Sequence, residues 1–264
     1  MTVRDIPDHC AKFSSPIRDA IAGILEREDP DRRWTILDPF AGVGLIHELA
    51  NGRLTVASEL EWEWAAAGRP RALAADALRL PFADGTFDAI ITSPCYGNRM
   101  ADLYDGLGVC RKCKGHPTDL FDSPPCARCG GVGHDTSTRY TYRLSLGRAL
   151  TAGSSAGMKW GPEYRRFHKL AWAEATRVLR PHVAEDPALG GWLILNISDH
   201  LRKVGGRQRR QHVSAFHHNH LASLGYDIAD LVDVKTDRNR NGANHDARVA
   251  HEHVIAYHAP LAAA

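Results

Sequence analysis

A glycine turn, two acids at successive strand ends and two pairs of cysteines are the residues of this chain whose types and spacing suit chemistry. The turn Asp38-Pro39-Phe40-Ala41-Gly42-Val43-Gly44 follows the apolar run Trp34–Asp38. Its two glycines let the backbone bend sharply and approach a ligand with no Cβ in the way. It is not the G-x-G-x-x-G dinucleotide fingerprint, because Glu48 or a neighbour stands where the third glycine belongs. Glu59 ends the next apolar run, where a carboxylate can accept hydrogen bonds from both hydroxyls of a ribose. Asp76 ends the third, placed to meet an adenine amino group. Either acid alone reads as well as a helix N-cap or a surface charge. Three such features at successive strand ends point to a nucleoside-bearing cofactor.

Cys110-Arg111-Lys112-Cys113 and Cys126-Ala127-Arg128-Cys129 form two C-x2-C knuckles with twelve residues between them. In a chain with no secretory signature this pattern suggests a metal before disulfides. Each knuckle can present two thiolates to one tetrahedral zinc ion at about 2.3 Å, and four protein ligands leave no open position for chemistry. Lys114-Gly115 and Gly130-Gly131 suit the turns around them. The predicted result is a structural zinc ribbon over residues 106–134, inserted in a domain made of 1–105 and 135–264. Arg111, Lys112, Lys114 and Arg128 would give it a basic face. That face either contacts the substrate backbone or belongs to a clip that orders a long loop.

The elements that must position these residues alternate. Strands are predicted at Trp34–Asp38, Leu54–Glu59, Ala72–Asp76, Phe87–Thr92, Trp192–Asn196, Tyr226–Val234 and His253–Tyr257. A helix-like stretch begins at His47–Leu49 and ends near Asn51-Gly52, and Trp62–Gly68 is a second helix candidate. Tyr164–Leu179 carries helical apolar spacing, and Val213–Leu224 is a further helix whose histidines blur its period. Such alternation describes an α/β fold with an open, mostly parallel seven-stranded sheet and helices on both faces. Ligands in such sheets sit at the carboxyl ends of the strands, which is where the candidate site residues fall.

The combination resembles the class I AdoMet-dependent methyltransferases, specifically the amino-methyltransferases of nucleic acids. The turn DPFAGVG resembles that family's cofactor loop. His9–Ile17 resembles the segment against the cofactor's methionine end, with Phe13 and Pro16 as its landmarks. The resemblance implies that Phe13, Asp38, Phe40, Gly42 and Gly44 line the methionine and ribose region of S-adenosylmethionine. Glu59 would hold the ribose and Asp76 the adenine. Ser93-Pro94-Cys95-Tyr96 resembles the family's [D/N/S]-P-P-[Y/F/W] motif, with Cys95 in place of the second proline. An exocyclic amine of cytosine or adenine is a poor nucleophile, its lone pair being delocalised into the ring. Hydrogen bonds from its NH2 group to the Ser93 side chain and the Pro94 carbonyl would orient the nitrogen for attack on the sulfonium methyl. Tyr96 would stack on a base turned out of the helix.

Serine at the first position leans toward cytosine N4 over adenine N6. Gly97-Asn98-Arg99, Lys159-Trp160-Gly161 with Tyr164-Arg165, Asn196–His200 and Arg238–Asn244 resemble a group of phage and bacterial DNA methylases, so the likeness covers nearly the whole chain except the cysteine-rich insertion and implies DNA as the substrate. Asp199 and His200 either face the site or cap a helix. Amino-methylation of RNA, and a zinc-dependent nucleic-acid-binding protein with an inactive methyltransferase domain, are the other readings.

Apolar residues at 44% and charged residues at 24% fit a globular chain and exclude a disordered one. No apolar run approaches a membrane span and the N-terminus lacks the layout of a signal peptide, so a cytoplasmic location is expected with no membrane partner. A net charge of +2 does not by itself argue for nucleic acid. Arg202, Lys203, Arg207, Arg209 and Arg210 form one basic cluster, and Lys235, Arg238 and Arg240 another. Each can track phosphates or belong to a solvated loop.

Overall fold

The computed structural model describes residues 13–67, 72–97, 126, 146, 148–184, 186, 189–235 and 249–261. Nine strands are defined among them: β1 (Thr35–Asp38), β2 (Leu54–Glu59), β3 (Ala72–Ala74), β4 (Ala89–Thr92), β5 (Trp192–Ile197), β6 (His200–Val204), β7 (Arg207–Gln211), β8 (Asp227–Lys235) and β9 (His251–His258). The helices are α1 (Ser15–Glu28), α2 (Trp62–Ala67), α3 (Pro162–Val178) and α4 (Val213–Ser223).

Seven strands make one sheet in the order β3-β2-β1-β4-β5-β9-β8, and β6 and β7 pair apart from it. From β3 to β5 all neighbours are parallel, whereas β9 runs antiparallel to both β5 and β8. Counting only the sheet's strands in chain order, the arrangement is 3-2-1-4-5-7-6 with the seventh reversed. This is the class I methyltransferase fold, as expected. The connections reverse direction between β1 and β4, which opens a crevice beyond their carboxyl ends.

The central strands are apolar at nearly every position because both faces are covered. Ile36, Ala89, Ile91, Trp192, Ile194, Val254 and Ala256 point to one face, against Ile17, Ile21, Ile24 and Leu25 of α1. Leu37, Ile90, Leu193, Leu195, Ile197, Ile255 and Tyr257 point to the other, against Tyr164, Trp172, Ala175 and Val178 of α3 and Val213 and Leu221 of α4. Alternation along each strand therefore divides one sheet into two cores. A buried ion pair fixes the end of α1 to the start of β2. Arg53 Nε donates to Asp29 Oδ2 at 2.7 Å, and its Nη2 donates to the Leu25 carbonyl at 2.9 Å.

Three departures from the sequence-based expectations have local causes. Helix α1 was not anticipated, although Ile17, Ile21, Ile24 and Leu25 fall on one helical stripe behind Pro16 in the first turn. The stretch after the glycine turn is a 3-10 helix over Leu45–Leu49, closed by Asn51 and Gly52 at positive φ of 39° and 96°. The basic stretch around Arg202–Arg210 is a β-hairpin, β6–β7, and not a loop. Gly205 and Gly206, at φ of 57° and 79°, supply the two left-handed positions of a tight hairpin turn. No described helix is long and apolar enough to cross a membrane.

Candidate active site

The glycine turn leaves β1 through Asp38, which is buried between the ends of β1 and β4. Its Oδ1 accepts from the Phe40 amide at 3.0 Å and from the Thr92 hydroxyl at 2.7 Å, so one carboxyl bridges the two strands that flank the crevice. Removal from water pushes the Asp38 pKa up to about 7, against the lowering effect of those two hydrogen bonds. Gly42 and Gly44 take positive φ of 53° and 77°, the conformations a glycine adopts freely.

Glu59 closes the far side of the turn. Its Oε2 accepts from the Gly42 amide at 2.9 Å and its Oε1 from the Glu61 amide at 2.9 Å. Burial raises its pKa to about 7; the two amides lower it, and the nearby Glu61 and Asp38 carboxyls raise it further. Asp38, the Gly42–Gly44 turn and Glu59 thus form a contiguous set at the ends of β1 and β2. Asp76 follows β3 as an exposed residue whose Oδ1 accepts from the Leu78 amide at 2.9 Å. Phe13 is partly buried against the α1 face of the sheet. The Phe40 ring turns toward α3, 6.2 Å from Phe167 and 5.9 Å from His168 between ring centres, so its side chain packs under the turn.

Beyond β4 the expected Ser93-Pro94-Cys95-Tyr96 segment carries a polar cluster. Ser93 Oγ lies 3.0 Å from Tyr96 Oη, which donates to Glu252 Oε2 at 2.9 Å. Asn196, near the end of β5, donates through Nδ2 to Tyr96 Oη at 3.0 Å, Ser93 Oγ at 3.2 Å and Glu252 Oε2 at 3.2 Å. Asn196 is only 2% exposed, and its Oδ1 accepts no hydrogen bond. A buried acceptor left unpaired costs about 1–3 kcal/mol. Among the described residues no donor meets this acceptor.

The backbone of the segment is held from below. The Tyr164 hydroxyl donates to the Cys95 carbonyl at 2.6 Å and lies 2.9 Å from His217 Nε2. Trp172 Nε1 can only donate, and it does so to His217 Nδ1 at 2.8 Å. His217 is therefore a neutral imidazole with its proton on Nε2, directed at Tyr164. Burial, with smaller contributions from His168 and His220, drives its pKa well below the ordinary value. This Trp172–His217–Tyr164 chain fixes the carbonyl at the position where a second proline is absent. The Cys95 side chain packs with Val43, Trp64 and Ala156. Gly97 closes the turn at φ 63°; a Cβ there would meet the Trp160 backbone nitrogen at 2.8 Å.

Sequence reasoning missed Glu252, which arrives on β9 from the far end of the chain, and the Trp172–His217–Tyr164 support. Asp199 is a helix cap: its Oδ1 accepts from the Ser214 amide at 2.9 Å and its Oδ2 from Arg210 Nε at 2.7 Å. Burial works against its ionisation, but these bonds hold its pKa below the usual carboxylate value. Of the cysteine quartet only Cys126, which is buried, is described; Cys110, Cys113 and Cys129 lie outside the described residues, as do the stretch 236–248 and the residues before Phe13.

No protein-family model matches the chain, and no curated protein matches it in sequence. Among solved structures it is similar to the 1,6-didemethyltoxoflavin-N1-methyltransferase of Burkholderia thailandensis, at 13% identity over 96% of this chain and 94% of that one, with a TM-score of 0.45. It is similar to the N-methyltransferase NodS of Bradyrhizobium japonicum WM9, at 11% identity over 98% and 94% of the two chains, with a TM-score of 0.47. The [4+2]-cyclase SpnF is also similar, at 13% identity over 96% and 86%, with a TM-score of 0.48. At such identities the likeness is one of fold, and a fold hosts more than one chemistry.

Proposed function

We propose that this chain transfers a methyl group from S-adenosylmethionine to the exocyclic amine of a nucleic-acid base, cytosine N4 of DNA. The observation that carries the reading is the Asn196 Oδ1 acceptor, buried and unpaired beside Ser93 at the same sheet edge as the Gly42–Glu59 turn. The donor set suits the cofactor: a carboxylate at the end of β2 for two ribose hydroxyls, above a turn with no Cβ at its two left-handed positions. Bound S-adenosylmethionine supplies a methyl group on a positively charged sulfur. Glu59 would hold its ribose and Asp76 its adenine amine, while Asp38 keeps the turn and the Ser93 segment in register.

The chain's part in the transfer is to orient an amine. One N–H of the base would donate to Asn196 Oδ1 and the other to Ser93 Oγ or the Pro94 carbonyl, aiming the nitrogen lone pair across the crevice. As the N–CH3 bond forms and the S–CH3 bond breaks, the nitrogen becomes positive and these contacts strengthen. The surplus proton then leaves the nitrogen, with Glu252 the nearest carboxylate of the cluster to receive it through Tyr96 or solvent. Ser93 in place of an aspartate supports the cytosine-N4 assignment through the resemblance. Labelled methyl from S-adenosylmethionine is expected in duplex DNA and not in RNA after incubation with the chain. Label in RNA alone would move the substrate, and label in neither would refute the reading.

The four cysteines complete the proposal as a structural zinc site built from Cys110, Cys113, Cys126 and Cys129. Metal analysis of the purified chain should return about one zinc, lost in a Cys110→Ala/Cys126→Ala variant. A zinc-free chain with full activity would remove the ribbon from the account.

A further inference from the structure

We propose that the β6–β7 hairpin grips the phosphodiester backbone of the nucleic acid whose base enters the site; this inference rests on the nucleic-acid reading above. In the hairpin Arg202 pairs with Arg209, and Val204 with Arg207. Side chains alternate along a strand, so Arg202, Arg207 and Arg209 share one face. All three are exposed. Like charges directly opposite each other destabilise a strand pair, so hairpin stability does not account for this face.

The other face behaves differently. Arg210 is bound to the buried carboxylate of Asp199, which also caps α4. That contact ties the base of the hairpin to the body of the domain. Among the described residues neither Arg207 nor Arg209 is bonded to a carboxylate, so their guanidinium groups are available to an anion. Guanidinium forks match phosphate oxygens in geometry as well as charge.

Position supplies the second argument. The hairpin begins at His200, just past the end of β5 that carries Asn196. Arg202 Nη1 donates to the Trp160 carbonyl at 3.1 Å, and the Trp160 amide donates to the Gly97 carbonyl at 3.0 Å. Gly97 directly follows Tyr96. The arginine face is thus linked by two hydrogen bonds to the rim of the acceptor cluster, where the strand flanking a turned-out base must pass.

The test is fluorescence anisotropy of the full chain with labelled duplex DNA and with RNA, titrated with salt. Arg207→Gln/Arg209→Gln protein is expected to bind on the order of tenfold more weakly at about 0.1 M salt, to a similar extent on unrelated sequences. On duplex DNA the slope of log affinity against log salt should fall by about 1.8, and Arg207→Lys/Arg209→Lys should restore it. S-adenosylmethionine affinity should be unchanged in both, and the melting temperature should fall in neither, since the Gln variant loses only the Arg202–Arg209 repulsion. The same loss on RNA as the tighter ligand would keep the hairpin's role and move the substrate. Wild type and Gln variant binding alike, with equal slopes, would overturn the hairpin assignment and leave the reading of the site intact. A wild type that binds neither polymer would overturn both.

Discussion

Replacing Asn196 by alanine is expected to lower kcat for methyl transfer by about 10²–10³-fold, the scale on which loss of one preorganised hydrogen-bonding group slows an enzyme. The affinity for S-adenosylmethionine should stay within about twofold, because no contact of Asn196 reaches the Gly42–Glu59 turn. Two effects add in this variant. The Oδ1 acceptor that the amine would use is removed, and Ser93 Oγ, Tyr96 Oη and Glu252 Oε2 lose a common donor. On the acceptor side the free enzyme gives up nothing, since Oδ1 is unpaired, whereas loss of the three Nδ2 hydrogen bonds should lower the melting temperature. A purely structural asparagine would show a lowered melting temperature with kcat preserved in the folded fraction. Full turnover in Asn196→Ala protein would take the residue out of the reaction.

Glu59→Ala is expected to weaken S-adenosylmethionine binding by at least about 10²-fold, since two ribose hydroxyls would each lose a charged acceptor with a net contribution of about 1.5–3 kcal/mol. The wild type should also bind more tightly as pH rises from 6 to 8. Burial raises the Glu59 pKa to about 7, so the carboxylate that would accept both hydroxyls becomes the main form only across this interval. The gain should be about tenfold, the rise in ionised fraction about a pKa near 7, and should be absent in Glu59→Gln protein. Calorimetry reads both effects, and a pH-independent affinity equal in wild type and variant would contradict the assignment. The linkage to folding has the opposite sign. A carboxyl whose folded pKa lies above its unfolded value of 4.5 contributes stability below that value and loses it as pH rises through about 7. Cofactor-free protein should accordingly melt lower at pH 8 than at pH 5.

What was legible in the sequence follows from how locally each feature is encoded. The ends of β1, β2 and β4 announce themselves through an apolar run closed by a glycine, an acid or a proline, and those residues meet at the predicted edge. Alternating strands and helices gave the sheet, because both-face burial makes each central strand a short apolar run. The hairpin was illegible because β7 is built of Arg and Gln alone and the two apolar residues of β6, Leu201 and Val204, fall on opposite faces; only Gly205-Gly206 marks it. Glu252 was illegible for another reason. Its role depends on β9 running antiparallel beside β5, which brings its start to the edge where β5 ends. The Trp172–His217–Tyr164 support is likewise a product of packing α3 against α4, and the histidines that obscured the helix period include the one that fills that gap.

That same support bears on the departure at Cys95. A proline there would restrict the backbone through its ring, whereas this chain restrains it through a hydrogen bond to the carbonyl from a tyrosine fixed by a neutral histidine. The Cys95 carbonyl is thus positioned by tertiary contacts in place of a local one.

Nucleoside mass spectrometry reads the proposed transfer of a methyl group to a base amine at its product. Duplex DNA incubated with the chain and S-adenosylmethionine, then digested to nucleosides, should contain N4-methylcytosine, formed about 10²–10³-fold more slowly when Asn196→Ala protein replaces the wild type. Absence of any methylated nucleoside in DNA or RNA, with S-adenosylmethionine binding intact by calorimetry, would contradict the account.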